Sequence, residues 1–319
     1  MTPADSVSDW RPNASLKTLR ARAGMLERIR AFFRERDVLE VETPQLSPAA
    51  VTDPHIASIR TSPQGGPRYL HTSPEYAMKQ LLAAGSGPIW QLCKVFRDGE
   101  SGGRHNPEFT LLEWYRPGWS MDRLMEEVEA LARILIPDLP PAERLSYRQA
   151  FQKTVGIDPL TGSTQDLRTA ARALDGPNLG EDANAWRDFL LTHAVEPQLP
   201  PCCFLYDFPV SQAALARIRP GSEPPVAERF ELYLRGMELA NGYRELTDPN
   251  ELRRRFTADN AYRRRRGLPA MPLDERLLTA MEHGLPECAG VALGLDRLLM
   301  QALGLDRIEQ VLAFSWNRA

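Results

Sequence analysis

Residues 96–115 read FRDGESGGRHNPEFTLLEWY, and no other stretch restricts the fold as much. Gly99, Gly102 and Gly103 lie in one charged segment with Arg97, Glu100, Arg104, His105, Asn106 and Glu108. Phe109 to Tyr115 then runs at the two-residue period of a strand, and residues 89–97 (IWQLCKVFR) read as a strand before it. Strand, glycine turn and strand make a β-hairpin with a long loop, which commits two neighbouring strands to antiparallel pairing. The pattern returns at 229–242 (RFELYLRGMELANG), where Phe230, Leu232 and Leu234 face one way and Glu231, Tyr233 and Arg235 the other. Two antiparallel strands joined at Arg235–Gly236 fit this run.

Helices fall around the hairpins. Residues 15–37 place Leu19, Ala23, Leu26, Ile29 and Phe33 on one face, with Ser15 as N-cap. Further helices are expected over 74–84, 120–136, 144–155, 249–266 and 295–304, and further strands over 38–43 (closed by Pro44), 68–72 and 204–210. Residues 156–200, rich in Pro, Gly, Asp and Asn, read as short helices alternating with loops. Hairpin-connected strands with segregated helices predict an α+β fold: an antiparallel β-sheet of six or seven strands flanked by helices, not a doubly wound sheet.

Composition removes several function classes. A net charge of −3 argues against a generally nucleic-acid-binding surface. No apolar run approaches a membrane span, and the opening MTPADSVSDWRPN lacks the apolar core of a secretory signal, so a cytoplasmic protein is expected. Cys93, Cys202, Cys203 and Cys288 show no metal-binding spacing and read as buried reduced thiols. The only lysines are Lys17, Lys79, Lys94 and Lys153, and none follows a glycine-rich loop, which excludes a P-loop. A dinucleotide-binding glycine fingerprint and a serine-nucleophile elbow are also missing.

Three clusters can carry chemistry. Arg97 and Arg104 can grip phosphate oxygens with fixed charge, Phe109 offers a flat face to a purine, and Glu100 and Asn106 offer hydrogen bonds. Glu231, Glu238 and Glu245 recur every seven residues; odd spacing changes face on a strand, so a turn must intervene for them to converge, on Mg²⁺ or on an ammonium. Gly290, Ala292 and Gly294 allow close approach to a strand, after which Arg297 enters the first turn of an apolar helix. A cation there opposes the helix dipole, which points to a duty toward a phosphate or a base.

Together these clusters resemble the signature motifs of class II aminoacyl-tRNA synthetases, in the lysyl branch. VETPQLSP (41–48) is similar to the dimer-interface motif, residues 96–115 to the second motif and GVALGLDR (290–297) to the third. The resemblance runs from about residue 15 to the end and implies a single catalytic domain over 1–319, with a helical and loop insertion over 117–205. The oligonucleotide-binding domain that reads the anticodon is expected to be absent, as in the truncated branch that modifies translation elongation factor P. That branch activates lysine or (R)-β-lysine with ATP and passes it to a lysine ε-amino group of the factor. ATP and Mg²⁺ are therefore the implied cofactors, elongation factor P the implied partner, and a homodimer that does not use tRNA the implied assembly.

The resemblance also implies site residues. Arg97 and Arg297 are the catalytic pair. Arg97, Asp98, Gly99, Arg104, Asn106, Phe109, Glu238, Leu239, Gly294 and Arg297 line the ATP site, with adenine between Phe109 and Arg297. Glu231 and Glu238 hold Mg²⁺. Ser73, Pro74 and Glu75 receive the substrate amino group, Glu113, Tyr115, Asn241 and Glu245 its side-chain ammonium, and Ala292 lies beside its backbone.

Two positions depart from the family pattern. The second motif usually opens Arg-Asn-Glu, whereas this chain has Arg97-Asp98-Gly99 with Glu100 one place later. Ala292 replaces a glycine, and its methyl would favour a β-amino acid over an α-amino acid. Other readings are a minimal synthetase that charges tRNA and a non-catalytic regulatory paralogue; the complete phosphate and metal set opposes the latter. The arginine runs 253–255 and 263–266 read either as a solvated helix face or as a docking patch for an acidic partner.

Overall fold

The computed structural model describes residues 10–319, so most of the opening segment read for a secretory signal lies outside the described residues. Ser15 caps α1 (Leu16–Arg34), its side chain accepting from the Thr18 amide. Four short strands follow: β1 (Leu39–Glu40), β2 (Leu46–Ser47), β3 (Arg60–Thr61) and β4 (Arg68–Leu70). After α2 (Glu75–Ala83) comes the hairpin of β5 (Ile89–Phe96) and β6 (Glu108–Pro117), then α3 (Met121–Leu135). Next are β7 (Glu143–Ser146), α4 (Tyr147–Val155), α5 (Thr164–Arg172), α6 (Ala183–Leu190) and β8 (Cys202–Pro209). The second hairpin is β9 (Val226–Leu234) with β10 (Met237–Arg244); α7 (Pro249–Arg265), α8 (Glu275–Gly284), β11 (Cys288–Gly294) and α9 (Leu295–Leu303) complete the order.

The main sheet has eight strands in the order β1-β5-β6-β11-β10-β9-β8-β7. Its six central strands are antiparallel, as the hairpins require. The edges differ from the expectation of a purely antiparallel sheet: β1 runs parallel to β5 and β7 parallel to β8. A small second sheet has the order β2-β4-β3. The expected strand over 38–43 is thus only two residues long, and α8 and β7 are elements the sequence pattern did not indicate.

Alternation decides what each face carries. On β6, Leu112 and Trp114 point into the largest core, where α1, α3 and α9 cover one face of the sheet with Phe33, Val128 and Leu298. Leu111, Glu113 and Tyr115 point the other way. That second face is flanked at one end by α2, α7 and α8, through Met78, Phe256 and Leu278. At the other end α4 to α6 build a separate core of Tyr147, Phe151, Trp186 and Leu190 against β8 and β9. The expected insertion therefore divides, α3 joining the main core and α4–α6 walling the opposite face. All four cysteines are free, three of them buried. No helix among the described residues is long and apolar enough to cross a membrane.

Candidate active site

Between the two flanking cores a cavity of about 780 Å³ opens onto the sheet. Its floor is the outward register of four strands. Phe109, Leu111, Glu113 and Tyr115 come from β6, Gly290, Ala292 and Gly294 from β11, Glu238, Asn241 and Tyr243 from β10, and Arg229 and Glu231 from β9. The turn that joins β9 to β10 is at Arg235 and Gly236, both at positive φ (49° and 68°), as the sequence required. The pairing register then shifts between Glu238 and Ala240. This β-bulge reverses the side-chain parity, so Glu238 and Asn241 share a face despite their odd spacing. Turn and bulge together bring Glu231, Glu238 and Glu245 into one cavity.

One end of the cavity is cationic. Arg97, Arg104 and Arg297 all line it. The Arg97 guanidinium sits 5.1 Å from the Phe109 ring centre and 3.7 Å from Glu100, with a buried Nε that has no hydrogen-bond partner. Arg297 donates to the backbone oxygens of Glu238 (3.0 Å) and Arg104 (3.3 Å) and meets His105 Nε2 at 2.5 Å. Burial, then the Arg297 charge, holds His105 below the usual imidazole range. Arg297 is aimed by its neighbour: buried Asp296 pairs with Arg22 of α1 at 2.5 Å and accepts from the Thr110 amide at 2.6 Å. One carboxylate thereby ties α1, β6 and α9 together.

Between the cationic end and the opposite end lie Glu231 and Glu238. Glu231 is held at both oxygens, by Arg229 (2.5 Å) and by the Tyr233 hydroxyl (2.7 Å). Burial and the adjacent Glu231 push the Glu238 carboxyl up to about 7, against the pull of Arg297. The buried Asn241 Oδ1 beside them lacks a hydrogen-bond partner. Orphaned buried polar atoms are rare, and several belong to residues of this cavity wall, Arg97 Nε, Arg229 Nε and His71 Nδ1 besides Asn241 Oδ1, which fits a polar ligand.

The far end is acidic. Glu113 accepts from the Tyr115 hydroxyl (2.6 Å) and the Ser73 hydroxyl (2.8 Å). Burial and the nearby Glu75 still raise its carboxyl to about 8. Burial likewise pushes Glu245 up to about 7, with Lys79 opposing. Gly290 is required here: a Cβ on it would collide with the Tyr115 ring and Glu245 Oε1. A Cβ on Gly294 would find ordinary van der Waals room.

Most of the residues singled out in the sequence thus meet in one cavity: Ser73, Pro74, Glu75, Arg97, Arg104, Asn106, Phe109, Glu113, Tyr115, Glu231, Glu238, Leu239, Asn241, Glu245, Ala292, Gly294 and Arg297. Asp98 and Gly99 do not line it; the turn at Gly99 (φ 77°) carries them aside, and the acid that enters is Glu100. Asn106 spends its amide on backbone, donating to the Glu108 oxygen (2.6 Å) and accepting from the Trp316 amide (2.9 Å). Sequence reasoning missed Lys79, Arg229 and His105. Lys79 stands four residues after Glu75 on a helix, and that spacing is the signal that was available.

Of the two arginine runs, much is internal structure. Arg263 is buried and donates to the Asp53 and Pro269 oxygens. Arg253 pairs with Glu275, while Arg254 and Arg255 pair with Glu251. Arg264, Arg265 and Arg266 stay exposed at the end of α7.

A mixed sheet with an antiparallel centre, and one cavity on it with a cationic and an acidic end, point to the class. The chain matches the family of tRNA synthetases class II (D, K and N) over residues 3–318 and belongs to it. Among curated proteins it is similar to elongation factor P–(R)-β-lysine ligases of Salmonella arizonae, Salmonella paratyphi B and Salmonella schwarzengrund. Each is 50% identical over 324 residues, covering 98% of this chain and 99% of the relative.

Proposed function

We propose that the chain uses ATP to activate (R)-β-lysine, or lysine, as an aminoacyl-adenylate and transfers it to a lysine ε-amino group of elongation factor P. The observation that carries this reading is the single cavity with phosphate-seeking arginines at one end and ammonium-seeking carboxylates at the other. Half-identity to the (R)-β-lysine ligases along the whole alignment supports the choice of amino acid and acceptor.

In the first step the substrate carboxylate attacks the α-phosphorus and pyrophosphate leaves. Arg97, fixed between Phe109 and Glu100, faces the charge that builds on the α-phosphate and holds the attacking carboxylate beside it. Arg104 takes the terminal phosphate, and Phe109 and Arg297 enclose the adenine. Glu100, rather than Asp98 or Gly99, supplies the acid next to Arg97. Glu231 and Glu238 fit Mg²⁺ that arrives on the nucleotide, because such an ion needs only one or two carboxylates beside phosphate oxygens. The ion would neutralise phosphate charge there. Among the described residues no three His, Cys, Asp or Glu side chains are placed to hold a metal ion by themselves, which suits an ion shared with the nucleotide.

At the acidic end Glu113, Tyr115, Asn241 and Glu245 take the side-chain ammonium, and Ser73 to Glu75 the other amino group. Buried carboxylates select an ammonium because a neutral side chain would leave them unpaired. In the second step the ε-amine of the factor attacks the activated carbonyl, an amide forms and AMP leaves. The exposed Arg264, Arg265 and Arg266 dock an acidic face of the factor. Exposed Leu46 in the first motif and Leu39 just before it are apolar surface for a homodimer, and the work is cytoplasmic.

ATP–pyrophosphate exchange with each lysine isomer tests the reading. Faster exchange with (R)-β-lysine is expected; no exchange with either isomer would overturn it.

A further inference from the structure

Lys79 is an anomaly just behind the wall of this site. It projects from α2 between Met78 and Leu82, on the helix face that packs into the core, and is 2% exposed. Lysine is almost never buried unless paired. Its Nζ lies 2.6 Å from Glu75 Oε1 and 2.6 Å from Glu245 Oε2. Both carboxylates line the cavity, whereas Lys79 stands behind them and does not. It therefore touches the two acids from the protein side and leaves their remaining edges to the ligand.

We propose that Lys79 is a positioning residue for the amino-acid pocket: its ammonium fixes Glu75 and Glu245 and sets the pocket's net charge. The inference rests on the proposed lysine-type substrate. Three carboxylates face this end of the cavity, from Glu75, Glu113 and Glu245. With all three ionised around a bound substrate, one internal ammonium leaves two uncompensated charges, which equals the two ammonium groups of a lysine-type substrate whose carboxylate goes to Arg97. Without Lys79, three acids would crowd one dry pocket, and mutual repulsion would keep protons on them. A protonated carboxyl holds an ammonium poorly. Burial alone would pull the Lys79 ammonium toward neutrality, but Glu245 and Glu75 reverse this and hold it well above the usual lysine range. It is a permanent cation, not a nucleophile.

The geometry also explains why α2 carries this duty. Glu75 is in the first turn and Lys79 four residues on, so the helix itself sets their separation. Glu245 arrives from the end of β10, where its amide donates to the Cys288 oxygen at 3.0 Å. Lys79 thus locks the helix that carries the Ser73–Glu75 loop to the strand that carries Asn241 and Glu245.

The test is pyrophosphate exchange by Lys79→Met and Lys79→Gln, with KM measured separately for the amino acid and for ATP. Truncating one partner of a buried charge pair is expected to raise KM for the amino acid about tenfold or more, with KM for ATP within about twofold. The KM–pH curve for the amino acid should also move to higher pH, and Lys79→Arg should recover part of the loss. The Gln variant keeps two donors and carries the measurement if the Met variant fails to fold. An unchanged amino-acid KM, or equal loss toward both substrates, would overturn the inference. Wild-type protein without exchange would instead defeat the proposed function and leave the pairing of Lys79 untouched.

Discussion

Glu113 accepts two hydrogen bonds and is still pushed up to about 8, while Glu245 is pushed up to about 7, so an ammonium bound between them would be coupled to proton release. The groups facing them are Glu75 and Lys79 from α2, Tyr115 from β6, Tyr243 and Arg244 from β10, Cys93 from β5 and Cys288 from β11. An ammonium needs ionised carboxylates, whereas below about pH 7 these carry protons. KM for the amino acid should therefore fall as pH rises toward 8 and then level, by up to about tenfold per pH unit for each proton released. A flat profile in pyrophosphate exchange would contradict the burial-driven shifts. Ala292 faces Glu113 and Asn241 across β11. On the proposed reading its methyl lies beside the substrate backbone, so Ala292→Gly should raise activation of α-lysine relative to β-lysine; one methyl is worth about tenfold to two-hundredfold in discrimination. An unchanged ratio would count against its role. At this scale the sequence was legible where a residue's chemistry is unusual for its position, as with Arg297 early in a helix. It was only half legible for Lys79, whose spacing from Glu75 marks one partner while Glu245 is brought near only by the folded chain.

At the scale of elements, Asp296 joins three of them. Its oxygens meet Arg22 of α1 and the Thr110 amide of β6, and the next residue along α9 is Arg297. Arg22→Leu strands a buried carboxylate and should cost about 3–5 kcal/mol of stability. It should also raise KM for ATP, because the α9 turn that aims Arg297 loses its anchor. Denaturant unfolding that moves by less than about 1 kcal/mol would show the clip to be idle. The hairpins were readable because alternation and glycine turns are local. The parallel edges were not: Leu39 meets Ile89 and Glu143 meets Cys203, pairings across long separations that leave no periodic mark. The bulge at Glu238 was also hidden, although the convergence of the glutamates demanded a change of parity somewhere.

For the whole molecule, the proposed docking patch lies apart from the catalytic cavity in the charge pattern. Arg264, Arg265 and Arg266 lie at the end of a helix whose other arginines are occupied. Reversing these three to glutamate should slow transfer to elongation factor P about tenfold or more and leave pyrophosphate exchange unchanged. Equal transfer by the variant would move the docking face elsewhere. The central claim is that the activated amino acid goes to a protein. The direct measurement supplies labelled (R)-β-lysine and ATP with elongation factor P and bulk tRNA together. The expected result is label on the factor in an alkali-stable amide, with none on tRNA. Label on tRNA in an alkali-labile ester, with the factor unlabelled, would contradict the account.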